Sequence, residues 1–210
     1  MTPIRTIIFD MGGVLLDLDR QASIDAFAAA GYARAGEMLD PYVQTGFFLQ
    51  LEKGLITSDK LYATIRQQSG KEIADEAIAE ALFKFVAGLP VYKLQMLLDL
   101  REKGYRIFML SNTNAIMFPH IEAVYFTQQG LGLRDYFDRV FLSYEMKAVK
   151  PAPEIYRKMI AESGIIPSES LFIDDSPANI ATGKELGFHT YHAGEGEDFR
   201  PVFDRYTLLK

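Results

Sequence analysis

The sequence predicts an α/β fold, a doubly wound parallel sheet carrying an inserted all-helical segment. Three patterns lead there: short apolar runs that end abruptly in polar residues, helical periods alternating with them, and one long stretch with helical periods alone. The runs are Ile4–Asp10, Tyr105–Ser111, Arg139–Ser143 and Leu171–Asp175, with a weaker fifth at Phe188–His192. Their β-branched and aromatic content, short length and unbroken apolarity suit strands buried on both faces. Helices are expected between them over Tyr92–Lys103, Pro153–Ser163 and Pro177–Leu186. Gly104, Gly164 and Gly187 follow the last periodic residues and can take the left-handed conformation that ends a helix. The alternation implies right-handed crossovers and a Rossmann-like core.

From Leu18 to Gly88 no strand is expected, only helical patterns at Ala22–Ala30, Ser58–Gln68 and Ala74–Val86. Ser58 reads as an N-cap, and Gly31, Gly54 and Gly70 punctuate the segment. An insertion between the first strand and its sheet partner must sit above the carboxyl edge of the sheet, where open α/β folds bind ligands. The expected division is a discontinuous core of residues 1–18 and 89–210 and a helical cap of residues 19–88. Phe47, Phe48, Tyr62, Phe83 and Phe85 are expected in the core of that cap.

With 49% hydrophobic and 24% charged residues, the composition is that of an ordinary globular protein rather than a disordered one. A formal charge of −6 without a basic stripe argues against a nucleic-acid or anionic-membrane partner. The absence of cysteine excludes disulfides, thiolate metal sites and cysteine catalysis. The N-terminal residues read as neither a signal peptide nor a membrane span, so a cytoplasmic location is the default expectation.

Polar groups cluster where the strands end. Asp10 is followed by Met11-Gly12-Gly13, Ser111 by Asn112-Thr113, and Asp174-Asp175 closes the fourth run; Lys150-Pro151 comes shortly after the third. A nucleophilic carboxylate, a hydroxyl with adjacent amides, a lysine and a carboxylate pair make a phosphoryl-transfer kit. Three carboxylates cannot share one edge unscreened, so a divalent cation is required, and Mg²⁺ suits one or two carboxylates plus phosphate oxygens. Lysine and metal would neutralise the phosphate while Asp10 attacks it to give an acyl phosphate.

The strings FDMGGV, LSNTN, KPAPEIY and FIDDSPANI resemble, in order, the four motifs of the haloacid dehalogenase (HAD) superfamily, and the insert resembles its helical cap class. The resemblance implies Asp10 as nucleophile and metal ligand, with the Gly12 carbonyl and Asp175 as further ligands and Asp174 holding metal-bound water. It implies phosphate binding by Ser111, the Asn112 amide and Lys150; Lys147 competes for that last role but lacks the following proline. FDMGGVLLDLD, LSNTN and DDSPAN look most like the subgroup that includes α-D-glucose-1-phosphate phosphatase, which implies a small phosphorylated metabolite such as a sugar phosphate.

One departure matters: the family's second aspartate, its acid–base group, is Gly12 here. General acid–base catalysis contributes about 10²–10⁴-fold, so the loss is a real deficit that a cap residue, solvent or a good leaving group must cover. Two alternatives stay open, a 2-haloacid dehalogenase-type hydrolase and a non-catalytic phosphate-binding regulator. Asp17 and Asp19 read as a solvated linker. His189 and His192 would point to opposite faces of a strand, and His120 reads as a loop residue. The G-x-G-x-x-G spacing of dinucleotide binding is absent.

Overall fold

A computed structural model of the chain describes residues 2–40, 44–194 and 196–208. In chain order the strands are β1 (Thr2–Ile4), β2 (Thr6–Phe9), β3 (Asp17–Leu18), β4 (Val86–Gly88), β5 (Arg106–Ser111), β6 (Arg139–Leu142), β7 (Ser170–Asp174), β8 (His189–His192) and β9 (Tyr206–Leu208). Four helices lie between β3 and β4: α1 (Arg20–Ala30), α2 (Gly46–Glu52), α3 (Ser58–Ser69) and α4 (Asp75–Phe83). Six more follow: α5 (Val91–Glu102), α6 (Met117–Tyr125), α7 (Leu133–Tyr136), α8 (Ser143–Met146), α9 (Pro153–Ser163) and α10 (Pro177–Glu185).

Five strands form one parallel sheet in the order β6-β5-β2-β7-β8. Chain order reverses between β2 and β7, so the carboxyl ends of these two strands flank the topological switch point. Side chains alternate between two buried faces. Ile7, Phe9, Ile107, Met109, Leu171 and Ile173 enter one apolar cluster, and Ile8, Phe108, Leu110 and Phe172 enter the other. That double burial is why the strands read as unbroken apolar runs.

The helices of the insert have an apolar core of their own, built on Phe27, Phe48, Leu61, Ile65, Ile78 and Leu82. Ile116, which follows β5, joins it from the sheet side. No helix among the described residues is long and apolar enough to cross a membrane.

Several local expectations need correction. The run Ile4–Asp10 is not one strand: it bends at exposed Arg5, whose N–H donates to the Glu169 carbonyl (2.7 Å) and whose side chain pairs with Glu169 (3.0 Å). Thr2–Ile4 leaves the main sheet to pair in parallel with β9. The insert is not strandless at its ends, because Asp17–Leu18 pairs antiparallel with Val86–Gly88, so the two chain crossings brace each other. The helix expected to reach Val86 therefore stops at Phe83, and the Phe85 carbonyl accepts from Asp19 N (2.9 Å). The cap of α3 is Thr57, whose side chain accepts from Lys60 N, and Ser58 is its first helical residue. His120 lies in α6, not a loop: Pro119 falls in the first turn, where a missing N–H costs nothing, and the His120 ring stacks on Phe83 at 3.7 Å.

Candidate active site

Asp10 directly follows β2, and its N–H donates to the Ile173 carbonyl of β7 (2.9 Å), which ties the first and fourth motifs together. Its Oδ1 accepts from Met11 N (2.6 Å) and pairs with Lys150 Nζ at 2.8 Å. Lys150 is 1% exposed and also bonds Asp174 Oδ2 at 2.6 Å. The Asn112 side chain grips the Lys150 backbone from both sides: its Nδ2 donates to Lys150 O (3.0 Å) and its Oδ1 accepts from Lys150 N (2.8 Å). The ends of β2 and β7 thereby converge on the Lys150 ammonium, and the end of β5 holds its backbone.

Asp174 is fully buried. Beyond Lys150, its Oδ1 accepts from Ser176 N and Asn179 Nδ2, both at 2.9 Å, which ties Asp174 to the start of α10, where Ser176 is the N-cap residue. Asp174 is thus directed at Lys150 and α10, while Asp175 lines the adjoining cavity. Ser111 ends β5 with its hydroxyl on the Asn112 carbonyl (3.3 Å) and does not line that cavity. Asn112 and Thr113 do; the Thr113 backbone is held by Ser143 Oγ, which accepts from its N–H (3.0 Å) and donates to its carbonyl (2.9 Å). Lys147 is engaged elsewhere, donating to Gly54 O (3.0 Å). Asp17 pairs with Lys93 (3.2 Å) and Asp19 caps α1, so neither reaches the cluster. His189 and His192 donate to the carbonyls of Ser168 and Asp175 (3.1 and 2.9 Å).

Three carboxylates face one lysine, and burial together with the excess negative charge shows in the proton affinities of Asp10 and Asp175. Burial pushes the Asp10 carboxyl well up; Lys150 opposes that, and Asp174 and Asp175 add to it. Asp175 is pushed up to about 6 by burial and by Asp174. For Lys150, burial works against the charge, but Asp10 and Asp174 more than offset it and hold the ammonium above its ordinary range. Oxygens of Asp10, Asp174 and Asp175 lie within 4.8 Å of one another, a hard-oxygen set that a divalent cation would neutralise. A fit for Mg²⁺ is strengthened by Asn179 Oδ1, a buried acceptor with no partner among the described residues, on a residue that lines the same cavity.

The two adjacent glycines differ. Gly13 has φ +72°, and a Cβ there would collide with Asp175 Oδ2, so the turn after Asp10 closes on Asp175 only without a side chain. Gly12 has no such φ, and its Cβ would meet only the Leu18 Cδ1 methyl at 3.3 Å.

A cavity of about 90 Å³ separates this edge from the helical insert. The insert lines it with apolar side chains, Gln44 and Glu52, and Gln44 is tied back to the Asp40 backbone. Glu52, 8% exposed, went unnoticed in the sequence. The signal was present: in Phe47-Phe48-x-x-Leu51-Glu52 a glutamate continues an apolar stripe at helical spacing. Burial pushes its carboxyl up to about 8, against the pull of Lys150.

Comparison with known proteins matches residues 4–187 to the haloacid dehalogenase-like hydrolase family. A D-ribitol-5-phosphate phosphatase of Bacteroides thetaiotaomicron is 41% identical over 94% of this chain and 95% of its own length. A HAD family enzyme of the same species, solved with magnesium and inorganic phosphate, superposes with TM-score 0.90 at 40% identity, covering 95% of this chain and 99% of that one. A HAD-like hydrolase of Porphyromonas gingivalis gives TM-score 0.89 at 41% identity, with 96% and 97% covered. None of these relatives supports the glucose-1-phosphate subgroup.

Proposed function

We propose, from the premise that this chain belongs to the haloacid dehalogenase-like hydrolase family, that it is a magnesium-dependent phosphatase of a small polyol or sugar phosphate, working through an aspartyl-phosphate on Asp10. The observation that carries this reading is the charge cluster at the switch point, with Asp10 and Lys150 2.8 Å apart. Asp10 is the nucleophile. Lys150, kept charged by Asp10 and Asp174, neutralises phosphate oxygens, the Asn112 amide binds beside it, and the Ser111 hydroxyl joins them by turning from the Asn112 carbonyl to the bound phosphate. Asp174 holds Lys150 in place and fixes the turn that presents Asp175. Asp10, the Gly12 carbonyl and Asp175 would hold a magnesium ion, which would supply the positive charge that offsets repulsion between nucleophile and phosphate.

The helices of residues 19–88 act as the cap in this reading, braced at the β3–β4 pair and closing over the leaving group. The small cavity favours a compact substrate, and the ribitol 5-phosphate specificity of the relative makes that compound the first to try. A cytoplasmic location accompanies such a substrate. The dehalogenase alternative needs no metal, and the three-carboxylate cluster argues against it. The non-catalytic alternative rests on Gly12 alone.

Turnover of para-nitrophenyl phosphate with and without magnesium, followed by a panel of polyol and sugar phosphates, tests the reading. Magnesium-dependent release of phosphate from both kinds is expected. Undiminished turnover after exhaustive chelation, or none under any condition, overturns it.

A further inference from the structure

We propose that Glu52, at the end of α2, is the acid–base residue that serves the leaving group in place of the side chain Gly12 lacks; this rests on the phosphatase reading above. Glu52 lines the cavity that also holds Asp10, Gly12 and Lys150, and it approaches from the opposite, insert side. It is the only acidic residue the insert contributes to that wall among the described residues, and its carboxyl has no hydrogen-bond or ion-pair partner among them.

A buried, unpaired carboxylate is costly, so such a group stays neutral, and a neutral carboxyl is a proton donor. The upward shift noted above agrees with that state. Its position is set by the core. Two residues on, Gly54 has φ +60° and lies so close to the Tyr144 carbonyl that no Cβ would fit, while its own carbonyl accepts from Lys147 Nζ. These contacts pin the end of α2 to α8. The charged and titratable groups around Glu52 are Asp10, Lys150 and Asp175 across the cavity and Tyr144, Glu145 and Lys147 on and just after α8. On the remaining side α3 packs through Leu61 and Ile65, with Asp59 and Lys60 in its first turn.

The proton balance closes over two steps. Asp10 attacks phosphorus, the P–O bond to the leaving group breaks, and Glu52 gives its proton to the departing alkoxide. Glu52, now a carboxylate, takes a proton from water as that water attacks the aspartyl phosphate, releasing phosphate and restoring both residues.

The test compares kcat/KM of the wild type, Glu52→Gln, Glu52→Asp and Glu52→Gln with Gly12→Asp on n-butyl phosphate and para-nitrophenyl phosphate. Butyl phosphate releases a strongly basic alkoxide and carries no hydroxyl for Glu52 to bind, so a mere recognition role cannot mimic the effect. Glu52→Gln is expected to lose ~10²-fold on the alkyl substrate and less than about tenfold on the aryl one, and to accumulate phosphoenzyme with the aryl substrate. The added Gly12→Asp should restore the alkyl rate. Glu52→Asp, which withdraws the carboxyl by one methylene, should shift the ratio the same way and keeps the test decisive if the glutamine variant melts early. An active wild type whose variants keep the wild-type alkyl-to-aryl ratio overturns the assignment of Glu52 alone. A wild type inactive on both esters overturns the phosphatase reading and the assignment with it.

Discussion

The two walls of the cavity are built on opposite rules. On the sheet side Asp10, Lys150 and Asp174 are bonded across elements, and Asp174 is further bonded by Ser176 and Asn179, with Asp175 left facing the cavity. On the insert side Glu52 has no hydrogen-bond or ion-pair partner among the described residues and sits on a surface that is apolar but for Gln44. A satisfied network fixes geometry, which a nucleophile and a metal site need. A lone buried acid is poised to exchange a proton, which a leaving group needs. In the proposed reading the phosphate end is set by rigidity and the leaving-group end by an unsatisfied group.

The largest effect is expected on the sheet side. Asp10→Asn should stay folded and lose turnover by on the order of 10⁴-fold or more, because the amide keeps the shape but cannot attack phosphorus. A phosphatase assay beside a thermal melt checks it, and activity within tenfold of wild type removes Asp10 as nucleophile. Gly13→Ala comes next. Its Cβ would displace the Asp175 carboxylate, so a magnesium titration should show the half-saturating concentration rising by ~10²-fold, the size of effect seen when groups supporting a metal ligand are lost.

How far each wall could be read in the sequence follows the same division. Buried parallel strands must be apolar along their length, so IIF, IFML and LFI announce themselves, and polar residues at their ends mark the edge of the candidate site. The lysine network was not legible in detail: only the fold shows that Asn112 grips the Lys150 backbone or that Asp174 is tied to Ser176 and Asn179. Glu52 was hidden for a different reason. A glutamate at the end of a short helix looks solvated until tertiary packing places that helix face over the site. The break at Arg5 and the pairing of β1 with β9 were invisible too, since they join segments from opposite ends of the chain.

A smaller effect probes the insert side without catalysis. The Glu52 carboxyl is held at about 8 in the folded chain, against an ordinary 4.5. The folded state therefore binds the extra proton, and its contribution to stability is complete below pH 4.5 and is lost as pH rises through about 8. A shift of that size corresponds to at most about 5 kcal/mol. Under chelation, Glu52→Gln should gain several degrees in Tm over wild type on going from pH 5 to pH 9. A difference between the two proteins that does not change with pH would mean that Glu52 is charged throughout.

The smallest expected effect separates the two glycines. At its Cβ Gly12→Asp needs only the Leu18 side chain to yield and no left-handed backbone, so with magnesium present to offset the added carboxylate it should destabilise the fold less than Gly13→Ala does. With Glu52 intact it should raise the alkyl-to-aryl ratio by less than tenfold, because the proton transfer is already served. Equilibrium melts of this variant beside Gly13→Ala check the contrast, and equal destabilisation by both would erase it.

The central claim is that Asp10 carries the phosphoryl group. Rapid acid quench of the enzyme during turnover of para-nitrophenyl phosphate, followed by peptide mass analysis, tests it directly, most sensitively in Glu52→Gln, where the intermediate should persist. The account predicts one phosphoryl mass on the peptide containing Asp10, sensitive to hydroxylamine and absent from Asp10→Asn. A phosphoryl group found on another residue, or active enzyme that never carries one under quench, would contradict it.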